Sequence, residues 1–370
     1  MRLLFVAGTK VGGSGRSQRE LAGQLVKLGH EVVILVDPES SGGLRRWWYE
    51  HLSDLAVKVA DVPGAATVRW LEERPGRRHE PELIDGVPHE LSPVPENAFL
   101  AMVEEFRPDV VVGNSILRLA WRKISRRCAQ LEIPTILYIR EDVALNHFEG
   151  GVRPADVVVA NAESLARSIR ALGLDCEFIP SAIDTSVTAT TTSREVVLVI
   201  NPIESRGVGL VWQIASTLPE VPFVLQESWP LEEDQLASIR ARLPDHPNVE
   251  LRRARPPGPE LYGDTRVLLV PYLVDNRPRV IAEAQANSIP VIAADVPALV
   301  EAVGAGGVVV PVDDIAAWAA AVGGLMTDSD RYDQLATAAL EHSRRDEISI
   351  DQVGRRFEAL AADLVARAPT

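Results

Sequence analysis

Short runs dense in valine, isoleucine and leucine alternate along this chain with stretches whose apolar residues recur at helical spacing. Arg2 to Ala7 predicts a strand, and Ser14 to Leu28 predicts a helix with Leu21, Leu25 and Leu28 on one face and Gly29 as its stop. Glu31 to Val36 predicts the next strand, completing a βαβ opening. Further strands are expected at 110–112, 135–139, 157–160 and 177–179, each ending where polar residues begin. Strands alternating with helices in this way predict an α/β fold with parallel sheets, whose ligands bind beyond the carboxyl ends of the strands.

The alternation then lapses. From Ser186 to Glu195 the chain has no core-forming period and reads as a linker. A second series follows, with strands expected at 196–200, 223–226, 249–251, 266–271, 290–293 and 307–310. The last helix, 350–367, places Val353, Phe357, Leu360 and Leu364 on one stripe that must pack against something. The expected organisation is therefore an N-terminal domain over 1–185, a linker over 186–194, a C-terminal domain over 195–349 and a terminal helix over 350–370. One segment departs from the pattern. Gly43 to His79 combines Arg45, Arg46, Trp47, Trp48, Tyr49, Arg69, Trp70, Arg74, Arg77 and Arg78, side chains that stack on sugars or lipid headgroups and equally cover ordinary amphipathic surface.

Composition changes this picture in two ways. At 370 residues the chain exceeds a single ordinary core, which supports two domains, and a net charge of −14 argues against a nucleic-acid partner. Any phosphate must be held locally. Cys128 and Cys176 have neither disulfide nor metal spacing, the opening apolar run is too short for a membrane span, and no signal-peptide pattern is present, so a cytoplasmic protein without integral membrane association is expected.

Several motifs carry chemistry. Gly8 to Gly15 joins the first strand to the first helix, where backbone amides face an anion, making Gly13 and Ser14 candidates. It lacks the Gly-Lys-Ser/Thr of a phosphate loop, and Gln18 stands where a dinucleotide fingerprint needs glycine, although Asp37 occupies the place of a dehydrogenase's ribose-binding acid. Arg16 spoils a nucleophile elbow around Ser14. Asp328-Ser329-Asp330 reads as a helix cap rather than a metal motif, and the histidines show no i, i+4 pair, so no metal and no cofactor are expected. From Pro271 to Ile292 the chain reads as a strand end, a loop, a helix and another strand. Asp275 leaves the strand and Glu283 lies in the helix, two acids able to address different parts of one ligand or simply to be solvated.

This block resembles the acid-x7-acid signature of the retaining GT-B glycosyltransferases of family 4. Asn201 to Val208 is similar to the family's phosphate-binding strand and loop. Ala155 to Ser164 and Ile179 to Asp184 resemble its markers before the interdomain crossover, and Gly12-Gly13 with Leu28 to Val32 resembles its first βαβ unit. The resemblance implies two Rossmann-like domains facing a central cleft, with the C-terminal helix crossing back to the N-terminal domain. It assigns the nucleotide ribose to Glu283 and donor-sugar hydroxyls to Asp275, where glutamate is usual. The family's arginine and lysine on the diphosphate match Asn201 and Arg206, so one cation is missing and the other has changed type. Arg206 retains bidentate phosphate contacts, Arg277 or Arg279 is expected to supply the lost charge, and Val280 completes the donor set. Pro278 stands where glycine is usual and removes an amide. Arg140 and Glu141 follow the strand after which many relatives carry a histidine near the reacting sugar.

The expected function is transfer of a sugar from a nucleoside diphosphate sugar, UDP- or GDP-linked, to a small-molecule or glycan acceptor with retention at the anomeric carbon. Asp275, Arg206 and Glu283 are the catalytic candidates. The alternatives are a sugar-nucleotide epimerase or hydrolase on the same frame, or a non-catalytic nucleotide-sugar-binding relative.

Overall fold

A computed structural model describes residues 1–8, 12–37, 81–92, 94–116, 118–141, 145, 148 and 154–367. The arginine- and tryptophan-rich segment 43–79 lies outside the described residues. The chain divides into two compact units, one of Met1–Asn161, Leu165–Ala182 and Ile350–Thr370, the other of Ala162–Ser164 and Ile183–Ser349.

The first unit is built on an eight-stranded sheet of order β3-β4-β2-β1-β5-β6-β7-β8. Its strands are β1 (Arg2–Ala7), β2 (Glu31–Val36), β3 (Glu82–Ile84), β4 (Val87–Leu91), β5 (Val110–Asn114), β6 (Thr135–Ile139), β7 (Val157–Ala160) and β8 (Cys176–Phe178). All pairings are parallel except β3 with β4. The all-parallel expectation is corrected at this edge. Asp85 and Gly86 take φ of 52° and 77°, as a two-residue hairpin turn of the kind that matches strand twist requires. Helices α1 (Gly12–Lys27), α2 (Pro95–Phe106), α3 (Arg118–Gln130) and α4 (Glu163–Ala171) connect the strands. Helix α1 starts two residues before the expected Ser14.

The C-terminal helix, Ile350–Arg367, belongs to this unit and supplies Val353, Phe357 and Ala361, all fully buried, to its core. The Phe357 ring centroid lies 6.0 Å from that of Phe5 and 6.2 Å from that of Tyr138. Gln24 in α1 donates to Asp351 at 2.7 Å, and a Cβ on Gly354 would come within 2.5 Å of the Gln24 side chain. Burying an aromatic side chain of this size stabilises by about 3 kcal/mol.

The second unit carries a six-stranded parallel sheet of order β11-β10-β9-β12-β13-β14. Strands β9 (Val196–Ile200), β10 (Phe223–Gln226), β11 (Val249–Arg252), β12 (Thr265–Val270), β13 (Val291–Ala294) and β14 (Gly307–Val310) alternate with α5 (Val208–Thr217), α6 (Glu233–Arg242), α7 (Arg279–Ala286), α8 (Pro297–Val303) and α9 (Ile315–Thr327). Helix α10 (Ser329–Ser343) follows. Strands β9, β10 and β13 are buried at every position, which is why their sequences are continuous apolar runs without alternation.

The segment expected to be a linker is pinned to this unit. Thr188 is fully buried, its carbonyl accepts from Asn287 Nδ2 at 3.0 Å, and the Thr190 amide donates to Asn287 Oδ1 at 2.7 Å. The Ser193 amide donates to the Gly263 carbonyl at 2.8 Å. Threonine and serine suit such a strap because their small polar side chains and free amides pair with a neighbouring backbone.

Candidate active site

In the second sheet the strand order reverses between β9 and β12, with β10 on one side and β13 on the other. That reversal opens a crevice at the carboxyl ends, where open parallel sheets place their ligands. The chain leaves β9 at Asn201 in the left-handed region, φ 55°, which asparagine tolerates better than most residues. Its side chain turns to the end of β10, where Oδ1 accepts from the amide of Ser228 at 2.8 Å and Nδ2 donates to the Ser228 hydroxyl at 2.8 Å. Asn201 therefore ties two strand ends together.

A short turn, Glu204–Arg206, leads through Gly207 into α5. Gly207 has φ 73°, and a Cβ there would lie 2.0 Å from the Pro271 carbonyl oxygen, so only glycine lets α5 start against the end of β12. Arg206 is placed by this approach. Its guanidinium carbon lies 4.7 Å from the ring centroid of Tyr272 and 5.1 Å from that of Trp229. No carboxylate among the described residues pairs with it. Tyr272 is buried and its hydroxyl donates to the Ile200 carbonyl at 3.3 Å, which fixes the ring that Arg206 faces.

Asp275 lies in the loop after β12, half-buried, and its Oδ1 accepts from the Ala298 amide in the first turn of α8 at 2.8 Å. Helix α7 begins after Pro278, whose extended φ and ψ suit a residue with no amide to donate. Arg279 and Val280 open that helix.

Glu283 sits one turn further on, 2% exposed. Its Oε1 accepts from Arg279 Nε at 2.8 Å, and its Oε2 accepts from the Tyr262 hydroxyl at 2.9 Å. Burial and the adjacent carboxylate hold the Tyr262 hydroxyl well above the usual tyrosine range, so it stays a donor. Arg279, expected to serve the diphosphate, is thus engaged with Glu283. Arg277 points to Glu347, 3.6 Å away. The structure brings Asn201, Arg206, Asp275, Arg277, Arg279, Val280 and Glu283 into one unit; Gly13, Ser14, Arg140 and Glu141 belong to the other.

In the first unit the reversal falls between β1 and β5. A Cβ on Gly8 would lie 2.5 Å from the Ser115 carbonyl oxygen, so the loop after β1 passes directly against the end of β5. Gly13 and Ser14 are in the first turn of α1. The Ser14 hydroxyl meets that of Ser115. Asn114 donates to Gln18 Oε1 at 2.9 Å and accepts from Arg140 Nε at 2.7 Å. Arg140, 7% exposed, also donates to the Ser181 hydroxyl and lies 4.1 Å over the Tyr138 ring. Glu141 follows it, half-buried, and the neighbouring Asp142 lies outside the described residues, as do Thr9 to Val11 of the glycine loop.

Trp229, Tyr272 and Tyr262 in one unit, and Gln18, Asn114 and Ser181 in the other, escaped the sequence reasoning. Tyr272 stands directly after a strand, a usable signal; the rest come from separate loops and helices whose meeting no spacing records.

The resemblance to the glycosyltransferases is matched by family models. The family described as Glycosyltransferase Family 4 matches residues 11–187, and that described as Glycosyl transferases group 1 matches residues 223–328. The chain belongs to the group 1, family 4 glycosyltransferases. No curated relative matches by sequence.

Among solved structures, this glycosyltransferase is similar to HepE of Anabaena in complex with UDP-glucose, with a TM-score of 0.73, 14% identity and coverage of 98% of this chain and 100% of that one. It is also similar to sucrose-phosphate synthase from Thermosynechococcus elongatus, with a TM-score of 0.74, 14% identity and 99% of each chain covered. The catalytic domain of starch synthase IV from Arabidopsis thaliana, bound to ADP and acarbose, gives 0.69 at 14% identity over 99% of each chain. At such identities these likenesses establish the GT-B fold of two Rossmann-like parallel-sheet domains.

Burial pushes the Cys128 thiol up to about 12, which leaves it without nucleophilic character. Asp328 accepts from the Arg331 amide at 3.0 Å and caps α10. Among the described residues no group of three His, Cys, Asp or Glu side chains is placed to hold a metal, and no helix is long and apolar enough to cross a membrane.

Proposed function

We propose that the second unit binds a nucleoside diphosphate sugar, UDP- or GDP-linked, at the carboxyl edge of its sheet, and that the first unit holds the acceptor, a small molecule or a glycan. The observation that carries this is Arg206, a guanidinium positioned by two aromatic rings and paired with no described carboxylate. Stacking fixes the plane of the group while leaving its N–H edge to a bidentate phosphate contact. HepE binds UDP-glucose, a ligand of this class, and starch synthase IV binds ADP, a nucleoside diphosphate.

In transfer, the bond between the anomeric carbon and the diphosphate breaks with its electron pair going to the leaving phosphate. Arg206 and the opening amides of α7 stabilise that charge by placement. Asp275 orients donor-sugar hydroxyls, Glu283 the ribose, and Arg279 with Tyr262 keeps the Glu283 carboxylate aimed. The acceptor atom bonds to the anomeric carbon on the face the phosphate leaves, and its proton passes to a leaving phosphate oxygen, so configuration is retained without an obligatory protein base. Arg140 and Glu141 serve the acceptor, while Gly13 and Ser14 in the first turn of α1 serve the donor diphosphate. No resident metal takes part.

A thermal-shift screen against UDP, GDP, ADP and dTDP, followed by the matching nucleotide sugars, tests this directly. Ligand at about 100 times its Kd stabilises the folded state by about 2.7 kcal/mol, a readily measured rise in Tm. No shift with any of the four nucleotides overturns the proposal.

A further inference from the structure

The loop between β12 and α7 carries a buried carboxamide without hydrogen bonds. Asn276, directly after Asp275, is 5% exposed, and its Oδ1 is enclosed with no hydrogen-bond partner. Among the described residues its Nδ2 meets no acceptor. The main chain is fixed by contrast, since the Asn276 amide donates to the Val274 carbonyl at 3.0 Å.

Other buried asparagines use both ends of the carboxamide. Asn114 accepts from Arg140 and donates to Gln18, and Asn201 accepts from the Ser228 amide and donates to the Ser228 hydroxyl. Asn287 accepts from the Thr190 amide and donates to the Thr188 carbonyl. Burying a carboxamide without partners costs stability, so one that persists calls for a partner from outside the protein. The acids around it are engaged already. Asp275 Oδ1 accepts from the Ala298 amide at 2.8 Å, and both oxygens of Glu283 are paired.

We propose that Asn276 determines which sugar the donor carries, by pairing its carboxamide with two adjacent hydroxyls of the transferred sugar. One hydroxyl donates to Oδ1 and the other accepts from Nδ2. No protein hydrogen bond opposes rotation about χ2, so the carboxamide turns to meet them. A carboxylate or phosphate at the same place on the sugar offers Oδ1 no hydrogen, and the substrate class is therefore a neutral sugar with vicinal hydroxyls. This reading rests on the donor site proposed above, because Asn276 shares a loop with Asp275.

Calorimetric titration of the full chain with UDP, UDP-glucose, GDP and GDP-mannose, in the wild type and in Asn276→Ala, tests it. The nucleotide sugar that binds the wild type loses about tenfold in affinity in Asn276→Ala, while its bare nucleotide changes by less than about twofold. Asn276→Ser keeps a hydroxyl on a shorter side chain and recovers part of the loss; it also carries the comparison if Asn276→Ala fails to fold. Asn276→Leu, of similar volume, holds or raises the Tm of the unliganded protein, because no hydrogen bond is lost and an unpaired polar group is removed. Asn287→Ala, which breaks a paired carboxamide, lowers it.

Unchanged affinity for the nucleotide sugar in Asn276→Ala overturns the proposal, as it would if the carboxamide met only a bound water. Equal losses for nucleotide and nucleotide sugar overturn it too, since the contact is then not to the sugar. So does a Tm in Asn276→Leu that falls as far as that of Asn287→Ala. In each of these cases nucleotide binding by the wild type leaves the donor site standing. If neither nucleotide nor nucleotide sugar binds the wild type, the donor reading fails and the sugar contact with it.

Discussion

Beyond the carboxyl ends of strands in each of the two sheets stands an arginine laid against an aromatic side chain, Arg140 after β6 and Arg206 after β9, and the two arginines are held in opposite ways. Arg140 is buried, with Asn114 and Ser181 accepting from it and Tyr138 beneath it. Arg206 is half-exposed, gripped by Trp229 and Tyr272 alone among the described side chains. A buried, hydrogen-bonded cation fixes the geometry of its surroundings. A stacked cation with open N–H groups is ready for a ligand. The same residue type beyond the strand ends of two parallel sheets is thus held by buried hydrogen bonds in one and by aromatic faces in the other.

The largest expected effect separates the backbone approach from both arginines. Gly207→Ala puts a methyl group 2.0 Å from the Pro271 carbonyl oxygen at φ 73°, so the start of α5 must retreat and take Arg206 with it. A loss of about 4 kcal/mol is expected from the clash and the left-handed backbone together, together with loss of nucleotide binding. Gly8→Ala, with its contact of 2.5 Å to the Ser115 carbonyl oxygen, disturbs the first unit instead. Urea unfolding monitored alongside nucleotide titration checks the pair, and undiminished nucleotide affinity in Gly207→Ala breaks the link between that approach and Arg206.

Replacing the arginines themselves sharpens the contrast. Arg140→Ala leaves Asn114 and Ser181 short of a donor in a buried network and lowers stability by about 3 kcal/mol, with nucleotide affinity in the folded fraction unchanged. Arg206→Ala changes stability by less than about 1 kcal/mol and weakens nucleotide binding roughly 100-fold, the scale of a lost charge-assisted phosphate contact. Similar stability losses in both variants, with equal nucleotide affinity, remove the distinction.

These differences bear on what the sequence disclosed. The strands of the second unit were legible because burial on both faces demands continuous apolar runs, as Val196–Ile200 shows. The β3–β4 hairpin was not read. Glu82 and Leu83 are exposed and Pro88 interrupts the apolar positions, so only Val87, His89 and Leu91 face inward, too few to register as a period. Asp85-Gly86 carried the turn signal without a recognisable strand on either side.

At the candidate site, the spacing of Asp275 and Glu283 located the block. It said nothing of where the carboxylates turn. Arg279 and Glu283, four apart on a helix, are neighbours by helical geometry alone. Tyr262, which takes the other oxygen of Glu283, and Trp229, which faces Arg206, arrive from different loops and depend on the finished sheet.

The smallest expected effect concerns that last contact. Tyr262 donates to Glu283 while burial and the carboxylate hold its own proton loss well above the usual tyrosine value. Its folded-state pKa is therefore above its unfolded value of about 10, so its contribution is fully present below pH 10 and is lost as pH rises toward the folded value. Tyr262→Phe removes the hydroxyl, costs about 1 kcal/mol at neutral pH, and takes one donor from Glu283 Oε2 while Arg279 still donates to Oε1. Measured by urea unfolding from pH 8 to pH 11, the gap between wild type and Tyr262→Phe should be constant to about pH 10 and then narrow. Because Arg206 is untouched, nucleotide affinity in the variant should fall only through the loosened Glu283, by a few-fold rather than 100-fold. A loss as deep as that of Arg206→Ala makes the carboxylate, and not the stacked arginine, the main anchor of the nucleotide.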